Sequence, residues 1–172
     1  MATPGAVKYH IDKFWDDEFK NLNYVNEEFN DSANIEKWLA LGFANHFTGD
    51  MCDMRSPQPS WNQQFIDFFQ SIGWKDIGTS YYRMMPGTIL PTHSDTYRRY
   101  IEIFRLRGQE FALRRAVVFL EDWQPGHYGE YVGEPLTKWQ AGDTVQWCWD
   151  QPHMAANMGE TPRYTVQITG HL

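Results

Sequence analysis

The apolar positions of this chain change period once. From Ile35 the residues Ile35, Trp38, Leu39 and Phe43 recur every three or four positions, the spacing that gathers side chains on one helical face. Asp31 and Ser32 precede them with short side chains suited to the free amide groups of a helix start, so a helix is predicted there. A second is predicted from Ser60, which forms a capping-box pattern with Gln63. Trp61, Phe65, Phe68, Phe69 and Ile72 make its apolar face, and Gly73 stands where a terminating glycine belongs. Residues 1–75 therefore read as mainly helical support, with aromatic faces packed on a sheet and no chemistry of their own.

Beyond Trp74 the chain becomes short runs of β-branched and aromatic residues. Strands are predicted over Ile77–Met84, Tyr97–Leu106, Phe111–Leu120, Thr144–Trp149 and Tyr164–Thr169. Pro86-Gly87, Gly108, Pro125-Gly126, Gly142-Asp143 and Gly159 to Pro162 punctuate them as turns. Frequent strands without intervening helices imply antiparallel pairing in a sandwich or barrel, with residues 76–172 as its core. The expected architecture is mainly β, one domain over 1–172, with the N-terminal helices on one face of a β-sandwich.

Composition narrows the function classes. Fifteen Lys and Arg against 22 Asp and Glu give a formal net charge of −7, which argues against a dedicated binder of nucleic acid or anionic membrane. A chain of 172 residues supports its own core, so a metal site in it is functional rather than a structural staple. The two cysteines, Cys52 and Cys148, form neither a disulfide framework nor a zinc motif, and a reducing, cytoplasmic location is expected. Neither a secretion signal nor an apolar run of membrane-spanning length is read. The 8 Trp, 9 Tyr and 11 Phe are a heavy aromatic share, which calls for a location.

Six histidines offer chemistry, and His93 stands out because Asp95 lies two residues on. Residues i and i+2 of an extended segment project to the same side, so His93 and Asp95 can share one metal ion; a surface histidine bonded to a neighbouring carboxylate fits the pair as well. His153 follows the aromatic run Trp147-Cys148-Trp149 and supplies a third ligand if a later strand folds back beside the first. Two histidines and one carboxylate leave open coordination positions, an arrangement suited to non-haem Fe(II) and also to catalytic zinc. Ten residues further, Arg163 and Thr165 lie on one side of the last predicted strand. An arginine fork beside a hydroxyl is what the far carboxylate of a dicarboxylate needs.

With these residues the sequence resembles the Fe(II)- and 2-oxoglutarate-dependent dioxygenases of double-stranded β-helix (jelly-roll, cupin-like) fold. His93-Ser94-Asp95, His153 and Arg163-Tyr164-Thr165 meet that family's His-x-Asp, distal His and Arg-x-Ser/Thr pattern. Pro86-Gly87-Thr88 before the first histidine, and Gly142-Asp143 before the strand leading to the second, are similar to the aspartyl/asparaginyl β-hydroxylase and proline hydroxylase branch. Asp95 departs from the aspartyl/asparaginyl hydroxylases, which typically lack the carboxylate ligand. The resemblance covers roughly residues 82–169 and implies Fe(II) on His93, Asp95 and His153, 2-oxoglutarate as cosubstrate with its distal carboxylate on Arg163 and Thr165, and O2 as oxidant. By the same resemblance Tyr82 and Arg115 are candidates for further cosubstrate contacts, Arg98, Arg99 and Arg114 competing with Arg115. The implied reaction is hydroxylation of an amino-acid centre, peptidyl (Pro, Asp or Asn) or free, coupled to formation of succinate and CO2.

Two features bear on the substrate. Six arginines between Tyr97 and Arg115 form either an entrance for an acidic substrate or the solvent face of a hairpin. The loop Trp123 to Tyr128, which includes His127, is read as either the substrate side of the site or turn chemistry alone. His10, His46 and His171 are read as structural or exposed. The alternatives from other classes are a cupin-like binding module without oxidation, a zinc-dependent hydrolase and, lower, a nucleobase demethylase.

Overall fold

The computed structural model describes residues 5–29, 31–43 and 47–172, so His46 lies outside the described residues. The chain begins with a strand, β1 (Val7–His10), followed by β2 (Val25–Glu28), helix α1 (Ser32–Ala40), β3 (Thr48–Cys52) and helix α2 (Asn62–Ser71). Then come β4 (Lys75–Met84), β5 (Ile89–His93) and a short helix α3 (Arg98–Ile103), and the strands β6 (Leu113–Phe119) and β7 (His127–Tyr131). The chain closes with β8 (Glu134–Leu136), β9 (Asp143–Cys148), β10 (His153–Asn157) and β11 (Arg163–His171). A large sheet has the order β1-β9-β6-β11-β4-β3-β2, and a small one the order β5-β10-β7-β8. Every pairing is antiparallel. The two sheets make a jelly-roll sandwich, the β-sandwich that the strand pattern predicts and the double-stranded β-helix that the family resemblance implies.

Strands of the large sheet carry two different faces. Along β6 and β11, Ala116, Val118, Val166 and Ile168 point to one side and pack with Trp15, Phe19, Phe65, Phe69 and Trp74 in the main core cluster. Helix α2 closes this face with Phe65 and Phe69, both fully buried. The opposite side of β6 and β9 presents Val117, Phe119, Val145 and Trp147 to Tyr131 of the small sheet and to Trp139, a second cluster between the sheets. Period two along each strand produces this division without further instruction.

Three expectations need correction. The N-terminal segment is not mainly helical: β1 pairs with β9, and β2 and β3 extend the large sheet beyond β4. The sequences VKYH and VNEE of β1 and β2 are mostly exposed edge strands with no buried alternation, so the pattern that marks a strand is missing from them. Tyr97–Leu106 is not a strand; its aromatic and β-branched composition suggests one, but Tyr97, Tyr100, Ile101 and Phe104 keep helical spacing and pack around Ile101, Leu106 and Leu113. Ser60 does not cap α2, whose N-cap is Trp61 without a side-chain bond. Its amide and hydroxyl instead donate to the Glu18 carboxylate at 3.0–3.1 and 2.8 Å, which ties α2 to the N-terminal segment.

The other end of α2 is as expected. Gly73 takes φ +95°, its amide donates to the Gln70 carbonyl and that of Trp74 to the Phe69 carbonyl, the paired bonds of a Schellman ending. Trp74 lies on Phe69 with ring centres 4.7 Å apart, the apolar contact that accompanies this motif.

Candidate metal centre

His93 ends β5 and His153 begins β10, and the two are register partners in the small sheet. Their rings therefore meet, with centres 4.4 Å apart, although sixty residues separate them in sequence. Asp95, just beyond β5, turns its carboxylate back between them. His93 Nε2 lies 3.8 Å from Asp95 Oδ1, and His153 Nε2 lies 3.8 Å from Asp95 Oδ2. One donor atom from each of the three residues falls within 4.8 Å of the others, and no other group of His, Cys, Asp or Glu among the described residues converges in this way.

The second nitrogen of each ring fixes its orientation. His93 Nδ1 lies 2.7 Å from the Pro91 carbonyl and His153 Nδ1 lies 3.1 Å from the Gln151 carbonyl. A carbonyl only accepts, so each Nδ1 carries the proton and each Nε2 turns its lone pair towards Asp95, the tautomer required of a metal ligand. Ligand atoms about 2.1 Å from one metal lie about 3.0–3.5 Å apart at ordinary coordination angles, so donors that already lie within 4.8 Å of one another close on an ion with side-chain shifts. Burial holds the His153 imidazole down to about 4, against the opposing pull of Asp95, and so keeps the ring neutral. Burial would raise the Asp95 carboxyl, but the charge of Arg115 and its hydrogen bond outweigh it and hold the group below its ordinary value, ionised. The donor set fits a divalent transition metal.

Aromatic rings enclose these ligands. Phe29 and Trp38 meet the edge of the His93 ring at 5.1 and 5.6 Å, and Trp147 lies 4.9 Å from His153. Trp38 also donates its indole N–H to the Thr92 carbonyl at 3.2 Å, beside the ligand strand. The sequence placed Trp147 before His153 but assigned no role at the site to Phe29 or Trp38. No motif joins those two to His93, and only the folded sheet brings them together.

The cavity beside the metal ligands, about 150 Å³, lies between the sheets and is lined by Tyr82, Arg115, Arg163 and Thr165 as well as His93, Asp95 and His153. Arg163 and Thr165 point into it from β11 and are almost completely buried, 7% and 3% exposed. Arg163 donates from Nη1 to the Tyr128 carbonyl at 2.7 Å, and its buried Nε has no partner. Among the described residues no carboxylate comes within ion-pair distance of it. A guanidinium stays charged at neutral pH, so this side chain is a buried cation facing a cavity, with donors left for an anion.

Arg115, expected as a cosubstrate contact, is bonded to the metal carboxylate. It lines the same cavity, but Nη2 binds Asp95 Oδ2 at 3.0 Å and Nε meets the Tyr97 hydroxyl at 3.3 Å. Burial pushes the Tyr82 and Tyr97 hydroxyls up to about 12, so both remain protonated donors at neutral pH. Of the six arginines from Arg98 to Arg115, only Arg115 reaches the cavity; Arg98, Arg99, Arg105 and Arg107 are exposed, and Arg114 caps the Phe111 and Leu113 carbonyls. The loop at His127 is structural. Its ring is buried against the Thr161 carbonyl, and Trp123 donates to the His127 carbonyl.

The sequence matches no protein-family model and no curated protein. Solved structures do resemble the fold. A prolyl-4-hydroxylase from Pseudomonas putida is 15% identical with a TM-score of 0.56, over 90% of this chain and 95% of that one. A double-stranded β-helix protein from Klebsiella pneumoniae is 15% identical over 56% of this chain and 68% of that one, with a TM-score of 0.38. A predicted oxalate decarboxylase from Thermotoga maritima is 12% identical over 74% and 84%, at 0.42. At such identity the Pseudomonas likeness establishes architecture along nearly the whole chain. No helix among the described residues is long and apolar enough to cross a membrane.

Proposed function

We propose that this chain is an Fe(II)- and 2-oxoglutarate-dependent oxygenase that hydroxylates an amino-acid centre, peptidyl or free. The observation that carries the reading is Arg163, with a buried Nε that lacks a partner and no carboxylate at ion-pair distance among the described residues, in the cavity that also holds His93, Asp95 and His153. A metal site alone suits many cupin-like proteins, including zinc enzymes and binding modules; a metal site that shares its cavity with a buried, anion-seeking arginine suits a keto acid that bridges the two. The cavity, about 150 Å³, has room for a small polar molecule between the ligands and Arg163. The Pseudomonas prolyl-4-hydroxylase adds fold-level support, and proline is accordingly the first substrate to try.

Iron held at this site would supply, with O2 and 2-oxoglutarate, the oxidative decarboxylation to succinate and CO2 that leaves one oxygen atom for insertion into a C–H bond. The chain does the rest. His93, Asp95 and His153 would hold the iron as its protein ligands. Arg163 and Thr165 fix the distal carboxylate, and with it the plane of the cosubstrate. Phe29, Trp38 and Trp147 exclude water from the ligand side.

The test is incubation of iron-loaded protein with labelled 2-oxoglutarate in air, with proline and prolyl peptides present. Succinate in excess of a His153→Ala control is expected. Its absence, with iron bound, would leave the non-oxidising binding module as the better reading.

A further inference from the structure

We propose that Arg115 and Tyr97 are positioning residues that hold Asp95 as a one-oxygen metal ligand and so set the metal affinity of the site. The inference rests on the metal-centre reading above. Asp95 has two oxygens and an ion takes one or both of them. Arg115 Nη2 occupies Oδ2 at 3.0 Å, and Oδ1, 3.8 Å from His93 Nε2, is the oxygen that Arg115 leaves for the ion. Arg115 is itself fixed on two sides: the Tyr97 hydroxyl contacts Nε at 3.3 Å, and the guanidinium stacks over the Tyr97 ring at 5.0 Å from its centre.

Tyr97 is placed at a conformational cost. It is the N-cap of α3 with φ +49°, left-handed backbone that an aromatic side chain rarely adopts. Helix α3 pins that geometry through Ile101, packed against Leu106 and Leu113, and through the Tyr100 hydroxyl, which donates to the Asp76 carbonyl at 2.8 Å. The segment that composition marks as a strand thus holds a helix whose N-cap residue supports the arginine of the metal carboxylate. A carboxylate on a loop, as Asp95 is, has no strand register to aim it, and the Arg115 fork takes that role.

Titration of the metal-free protein with Co(II), followed by its visible d–d absorption and by calorimetry, tests the inference without turnover. Wild-type protein is expected to bind one ion with a defined spectrum and the His153→Ala variant to bind none tightly. Arg115→Met should weaken Co(II) binding about 10–100-fold and alter the band shape, because Oδ2 becomes free to join the coordination. Tyr97→Phe, which removes one hydroxyl and keeps the ring, should shift affinity the same way by a smaller factor. Arg115→Lys should restore part of the charge but not the one-oxygen spectrum. Wild-type affinity and spectrum in both Arg115→Met and Tyr97→Phe would overturn the positioning role while leaving the metal centre intact. Should Arg115→Met not fold, Tyr97→Phe and Arg115→Lys decide. No Co(II) binding by wild-type protein would overturn the metal centre and this inference together.

Discussion

The two faces of the large sheet share strands and backbone but follow opposite rules. On the helix-covered face, Ala116, Val118, Leu120, Val166 and Ile168 are fully buried among aromatic rings, an ordinary core. On the face turned to the small sheet, the intervening positions of the same two strands include Arg115, Arg163, Thr165 and Gln167, all lining the cavity. A sandwich of this size has no packing need for polar groups there, and burying them costs stability unless they are paired. Packing explains the first face; on the second, Arg115 is paired with Asp95, and Arg163 keeps a buried Nε without a partner among the described residues, the feature on which the proposed ligand rests. The contrast separates residues that hold the protein together from residues that wait for a partner, and mutation distinguishes the two.

The largest effect lies on the core face. Phe65→Ala opens a cavity under fully buried aromatic rings and is expected to cost about 3–5 kcal/mol by urea denaturation, with Co(II) affinity unchanged in the folded protein. A cost below 1 kcal/mol, or a coupled loss of metal binding, would break the division between the faces.

Asn157 sharpens the contrast, because it is a buried polar group that is satisfied. It is fully buried, donates from Nδ2 to the Met84 and Thr161 carbonyls at 2.8 Å each, and accepts from the Gly159 amide at 3.0 Å. Asn157→Ala removes the side-chain donor to the Met84 carbonyl and the acceptor of the Gly159 amide, leaves His127 as the remaining side-chain partner of the Thr161 carbonyl, and should cost about 2–3 kcal/mol. Arg163→Leu removes a buried polar group of the other kind and should leave the ligand-free protein as stable or raise its stability by about 1 kcal/mol. The same substitution should abolish the rise in melting temperature that 2-oxoglutarate gives the metal-loaded protein. A destabilised Arg163→Leu that still responds to 2-oxoglutarate would assign the arginine to the core.

How much of this was legible beforehand depends on distance in sequence. His93 and Asp95 were readable because two residues on an extended segment share a side, and Arg163 and Thr165 for the same reason. His153 was readable as a ligand by its place after an aromatic strand, while its register with His93 is a property of sheet pairing alone. The pairing of Arg115 with Asp95 was hidden twice: Tyr97–Leu106 has strand composition but helical period, and nothing local shows that an arginine twenty residues on returns to the carboxylate. The edge strands β1 and β2 were illegible because exposed strands bury no alternating face. Trp38 was legible as core while Phe29 carried no signal, and neither was legible as a wall of the metal site, since packing against His93 uses the same apolar surface as packing against anything else.

The smallest effect concerns His127, which lies at the Arg163 end of the sandwich. Burial lowers the affinity of its ring for a proton; the Thr161 carbonyl opposes this and the charge of Arg163 adds to it. With a folded value depressed below the ordinary one of about 6.5, the unfolded chain takes up the proton first. The contribution of His127 is therefore complete above that pH and is lost as pH falls towards the folded value. His153 acts in the same direction in metal-free protein, so the two must be separated by substitution. Urea midpoints at pH 7.5 and 5.0 should fall less in His127→Gln than in wild type, and parallel falls would exclude the residue. An anion on Arg163 offsets the positive charge that His127 feels, so 2-oxoglutarate bound there should also make the acid loss shallower. That response ties a core histidine on the structural side of the comparison to the cation on the other, through the ligand the cavity is proposed to hold.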